Sequence, residues 1–213
     1  MALRHSARTA LSSIFAMGLL MAAAHASVSE PRTYNGPLAV GSGRITIAGT
    51  SNIHEYTAST GVINVTRVQL AAGLAGPAFW SDVTRPGALE AFEVAIPAAS
   101  LSSPKEGLDK NVYKALKVTE HQNITFKLRR LEARPGVSGA LRGVGLLQIA
   151  GVEREIAIDL TTTRKDDTLA VHGEVLILMT DFGITPPKAM LGMLKTDPKV
   201  TVTFDTVLTI PLT

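Results

Sequence analysis

The sequence predicts an all-β, antiparallel protein, and three observations carry that reading. Apolar and polar residues alternate with a period of two along most of the chain. Ile156, Ile158 and Leu160, for example, are set against Glu155, Ala157 and Asp159, which sends the two groups to opposite faces of a strand. The runs follow one another through short connections. In the clearest pair, Leu146 to Leu160, the connection Gly151-Val152-Glu153-Arg154 contains a glycine suited to a tight reversal. Finally, each run has one greasy and one wet face, the pattern of antiparallel rather than buried parallel sheet.

Taken in order, residues 1–26 read as a secretory signal peptide. Arg4, His5 and Arg8 make a basic start, Ala10 to Ala24 an apolar core, and Ala24-His25-Ala26 a small-x-small cleavage pattern. A core of about 15 residues is short of the roughly 20 that span a bilayer as a helix. The expectation is an exported, soluble, periplasmic protein with one domain over residues 27–213. Ser27 to Gly43, broken by Pro31, Gly36 and Pro37, reads as an irregular arm.

The first strand is placed at Arg44–Ala48 and the second at Gly61–Thr66. Leu70 to Pro86, with Gly73, Gly76 and Pro77 around Trp80, reads as a loop or a ragged strand. Ala91–Pro97 turns Phe92, Val94 and Ile96 one way, and Asn123–Leu131 does the same with Ile124, Phe126 and Leu128. Leu141–Ala150, Glu155–Thr162, Thr168–Met179 and Lys199–Ile210 complete about eight strands.

Two segments break the pattern. Ser103-Pro104-Lys105-Glu106 offers an N-cap, a proline at the first helical position and a glutamate three residues after the cap. Leu108, Val112, Ala115 and Leu116 then predict a short amphipathic helix to about Lys117. Thr185-Pro186-Pro187 predicts a second helix over Lys188–Leu194. One-sided strands in series need their apolar faces covered, either by packing two sheets or by closing one. Closure removes the edges and leaves an interior to be filled by side chains or by one ligand. Alternation alone leaves both arrangements open.

Composition narrows the function. The chain carries 21 Lys+Arg against 18 Asp+Glu, but the leader holds Arg4 and Arg8 and no acids, so the remainder stands near +1. No basic stripe interleaved with aromatics is present, which argues against nucleic acid as a partner. Cysteine is absent, excluding disulfides, thiol catalysis and thiolate metal sites. His54, His121 and His172 are scattered without metal-ligand spacing. Ser42, Ser51, Ser102 and Ser103 lack a G-x-S-x-G setting. The expectation is a protein without catalytic residues, cofactor or metal.

Three stretches resemble the YceI-like family of exported lipid-binding proteins. Residues 147–160, with LQIAGV and IAIDL, resemble that family's paired strands; LDKNVYKALKVTEHQNITFKL, residues 108–128, resembles its short helix and "ITF" strand; and Thr180-Asp181-Phe182-Gly183-Ile184 resembles its "DFGI" turn. The resemblance covers roughly Tyr34 to Thr213. It implies an extended antiparallel β-barrel of about eight strands, lipocalin-like, around an apolar tunnel. It also implies a long isoprenoid ligand, a polyprenyl or quinone tail.

On that reading the barrel interior consists of Ile45, Ile47, Phe92, Val94, Ile96, Ile124, Phe126, Leu128, Leu147, Ile149, Ile156, Ile158, Leu160, Val202 and Phe204. Met190 and Met193 suit a soft rim, and His54 a polar partner for a head group. The alternative is a filled barrel that docks on a membrane redox complex or other envelope membrane protein through its loops. A monomer and a homodimer are both compatible with the sequence.

Overall fold

The computed structural model describes residues 37–105, 107–189 and 193–211. The proposed leader, the first part of the arm and Met190 lie outside the described residues. Among the described residues there are ten strands: β1 (Ala39–Ser51), β2 (Glu55–Thr60), β3 (Asn64–Leu70), β4 (Leu89–Pro97) and β5 (Asn123–Ala133). They continue with β6 (Ala140–Ile149), β7 (Val152–Lys165), β8 (Thr168–Leu178), β9 (Lys188–Ala189) and β10 (Leu194–Thr209). Nine of them form one sheet in the order β2-β1-β10-β8-β7-β6-β5-β4-β3, with β9 paired only to β10. All the pairings are antiparallel.

The sheet curls into a half-closed, lipocalin-like barrel. Its free edges are β2 and β3, consecutive in the chain. Ser59 and Ser102 stitch the β2 edge to the segment after β4 by reciprocal backbone hydrogen bonds of 2.8 and 2.9 Å.

The eight expected strands are all present, but four local readings need correction. First, β1 begins at Ala39, so the end of the arm is strand. Second, β2 was missed because its inward residues Tyr56, Ala58 and Thr60 are mostly small or polar. Third, the Leu70–Pro86 stretch contains a 3-10 turn and a one-turn helix, α1 (Phe79–Asp82). Fourth, Lys188 and Ala189 do not open a helix: they pair with Lys195 and Leu194 as the short strand β9.

The helix after β4 is α2 (Leu108–Ala115), four residues later than the Ser103 cap predicts. Ser103 Oγ instead accepts from Lys105 N at 3.3 Å, while Asp109 Oδ1 accepts from Ser103 N at 2.7 Å. This acidic side chain is half-buried. The helix ends as Val118 N donates to Tyr113 O and Lys117 N to Lys114 O, with Lys117 left-handed at φ 52°. Those paired bonds satisfy carbonyls that the helix end would otherwise leave free.

The β6–β7 connection is tighter than expected. Ala150 (φ 49°) and Gly151 (φ 83°) alone make the turn, both left-handed, which matches the twist of the flanking strands. Buried side chains gather into two clusters at opposite ends of the barrel. One contains Leu101, Leu116, Ile149, Ile177, Phe182 and Val200 beside α2. The other contains Leu38, Phe79, Trp80, Val83, Leu169 and Leu208 beside α1.

Candidate ligand-binding cavity

Between the two clusters the barrel is hollow. An apolar cavity of about 220 Å³ occupies its interior. All fifteen residues expected on the interior line this one cavity. Eleven of them are only half-buried although they point inward; only Ile96, Ile124, Ile149 and Ile158 are fully buried. Inward-facing side chains that still meet open space are what a bore produces, whereas a filled core would cover them all.

Alternation builds this wall. On β10, Val202, Phe204, Thr206 and Leu208 face in while Thr203 and Asp205 face out; Ile156, Ile158, Leu160 and Thr162 do the same on β7. Four alternate positions at about 3.3 Å per residue give a lined length of roughly 20 Å. Among the described residues, the only polar side chains in the wall are the hydroxyls of Thr84, Thr162 and Thr206. No carboxylate, amine or imidazole of the described residues lines the space. Among the described residues no group of three or more His, Asp or Glu is placed to hold a metal ion.

Glycine keeps the bore open at two places. Gly173 lies opposite Phe204 across the β8–β10 ladder, and the ring occupies the space a Cβ there would need. Gly145 similarly makes room for the Phe126 ring, and a Cβ at that position would approach the Lys127 carbonyl oxygen to 2.5 Å. Both rings are thereby held against the wall instead of across the lumen.

Sequence reasoning missed other wall residues, among them Leu38, Ile63, Val83, Leu89, Leu101, Leu141, Leu169, Val171, Val175 and Leu208. Extending the alternation along β6, β8 and β10 would have found five of these. Leu131 escapes that method: a bulge between Leu128 and Arg130 switches the inward parity from even to odd numbers.

Two of the rim candidates, His54 and Met193, are among the described residues, and neither lines the cavity. His54 lies on the exposed β1–β2 turn, where its backbone accepts from Ser51, and it does not line the cavity. Met193 is 66% exposed. Its carbonyl accepts from Asn52 Nδ2 at 2.8 Å, and Asn52 Oδ1 accepts from Lys195 N at 2.8 Å, clamping the turn to β10.

Close to this clamp, the hydroxyl of Tyr56 is buried and has no hydrogen-bond partner among the described residues, its ring over Gly49. Burial, with a smaller contribution from the Asp197 carboxylate, pushes its pKa above the ordinary 10.0. The folded phenol therefore keeps its proton to higher pH than the unfolded one. Between the two pKa values only the unfolded chain has released it, so this stability is intact below pH 10 and lost as pH rises further. Tyr56→Phe is expected to lessen the loss of stability between pH 9 and 11, as read by denaturant unfolding. At pH 7 it should be neutral or slightly stabilising, since an unpartnered hydroxyl is removed.

A sequence model described as the YceI-like domain matches residues 23–208. The chain belongs to the YceI-like family. No match was found among curated protein sequences. Solved structures share the fold at low identity. The crystal structure of BcnA from Burkholderia cenocepacia is similar with a TM-score of 0.60 and 12% identity, over 78% of this chain and 95% of that one. A polyisoprenoid binding domain from Saccharophagus degradans, implicated in plant cell wall breakdown, matches with a TM-score of 0.57 and 12% identity, over 82% and 99%. The YceI protein of Campylobacter jejuni matches with a TM-score of 0.51 and 14% identity, over 74% and 82%. This YceI-like barrel thus joins the family's fold to an interior of hydrocarbon.

Proposed function

We propose that this protein is an exported, periplasmic carrier that holds the tail of a long isoprenoid-type lipid, a polyprenyl or quinone tail, in its barrel. Residues 1–26 act as the signal peptide and residues 27–213 as the lipid-binding domain. The fifteen inward residues and their neighbours form the contact surface, with no catalytic group among them. The observation that carries this reading is a bore roughly 20 Å long to whose wall the described residues contribute only hydrocarbon and three threonine hydroxyls.

Such a wall recognises length and apolar character, because each buried methylene-sized group contributes about 0.8 kcal/mol. The polyisoprenoid binding described for the Saccharophagus degradans domain supports the same ligand class. Prenylated quinones of increasing tail length should therefore bind progressively more tightly until the bore is filled. A tailless quinone should bind at least about a hundredfold more weakly than the best of them. Equal affinity with and without the tail, measured by titration calorimetry, would remove the basis for the proposal.

A further inference from the structure

We infer that residues 71–88 form a hinged plug and that the cavity opens at the α1 end of the barrel. This segment leaves β3 and returns to β4 through a neck closed by Ala71 N donating to Ala88 O at 2.9 Å. Among the described residues, every hydrogen bond made by residues 72–87 stays inside the segment. Val83 N donates to Phe79 O, Arg85 N to Asp82 O, Ser81 Oγ to Ala78 O and Thr84 Oγ1 to Ser81 O. Its one ion pair, Arg85–Asp82, is internal too.

Apolar contact alone seats the plug. Phe79, Trp80 and Val83 are 6, 3 and 2% exposed, packed in the cluster with Leu38, Leu169 and Leu208. Gly73, Gly76 and Gly87 flank them with φ of 86°, 74° and 83°, and open space lies where a Cβ would stand at each. An outward swing about these positions would break no hydrogen bond to the barrel.

The opposite end is closed differently. There Ser59 and Ser102 exchange backbone bonds, Asn52 clamps Met193 and Lys195, Arg154 Nε donates to Asp181 O at 3.0 Å, and Tyr113 Oη donates to Leu101 O at 2.8 Å. Opening that end would break several polar contacts. Local opening favours the segment with fewest hydrogen bonds to its surroundings. Because Val83 and Thr84 themselves line the cavity, displacing the plug uncovers the bore directly. The role as a lipid portal rests on the proposed cargo; the mobility of the plug does not.

The chain has no cysteine and one tryptophan, which gives both halves a clean test. Single variants Val83→Cys and Leu101→Cys of the mature protein are labelled with a thiol reagent under native conditions. Val83→Cys should react at least about a hundredfold faster, with Leu101→Cys reacting only as fast as the whole chain unfolds. Equal rates for the two would overturn the plug. Uptake of a prenylated benzoquinone is then followed by quenching of Trp80. Phe79→Ala, which loosens the seat without touching the cavity wall, should speed uptake about tenfold. Unchanged uptake by a variant that still binds the quinone would place the portal elsewhere. Failure of either protein to bind it would count against the lipid cargo, leaving the labelling contrast to decide the plug.

Discussion

Gly173→Val is expected to give a folded barrel that binds a long-tailed lipid roughly thirtyfold more weakly, a loss of about 2 kcal/mol. The new Cβ would meet the far edge of the Phe204 ring and Leu160 Cδ2. The ring can relieve that contact only by turning away from the wall into the lumen. With the valine methyls, this takes up the space of about three methylene-sized groups, each contributing about 0.8 kcal/mol to a bound tail. Stability should fall by only about 1–3 kcal/mol, because the displaced atoms move into empty space. Gly145→Ala makes the contrasting case. There the obstacle includes the Lys127 carbonyl oxygen, a backbone atom of the neighbouring strand that no rotamer can move. Its unfolding free energy should drop further than that of Gly173→Val. If Gly173→Val binds as tightly as the natural protein, the ring does not border the occupied bore.

Phe182→Ala should do the reverse, costing about 3–5 kcal/mol of stability while leaving the affinity of the folded protein unchanged. Phe182 is 2% exposed in the cluster beside α2 and does not line the cavity. It closes a 3-10 turn in which Gly183 N donates to Thr180 O and Ile184 N to Met179 O. Removing the ring leaves a void where neighbouring strands hold the walls apart, so collapse can recover little of the lost contact. Chemical denaturation gives the stability and ligand titration the affinity. A loss of affinity as large as the loss of stability would mean that cluster and cavity are one unit.

These two variants separate the solid ends of the barrel from its hollow middle, a distinction that the sequence carries only in part. Alternation placed Phe92, Ile124, Ile156, Phe204 and the other eleven on one wall because side-chain direction in a strand is local. Whether that wall encloses space is not local. Two packed sheets and one curled sheet bury the same alternating faces, and only the β10 pairings with both β1 and β8 decide between them.

Local signals also misled where long-range pairing overrode them. Pro187 followed by Met and Leu residues suggested a helix, yet Lys188 and Ala189 gain strand hydrogen bonds from β10. Phe79 and Trp80 sit in a stretch rich in glycine and proline, and only the opening at the barrel end explains why two large rings belong there. The β5 bulge changes inward parity at Leu131 without any sequence mark beyond the charged Arg129-Arg130 pair. The two wall glycines were also invisible, since their role depends on rings from other residues.

That the lumen holds an oily chain is tested most directly by native mass spectrometry of the protein purified without detergent. The expected result is a bound species at one copy per chain that extracts into organic solvent and carries a long isoprenoid tail. A bare polypeptide mass, unchanged after incubation with polyprenol or prenylated quinone, would contradict it.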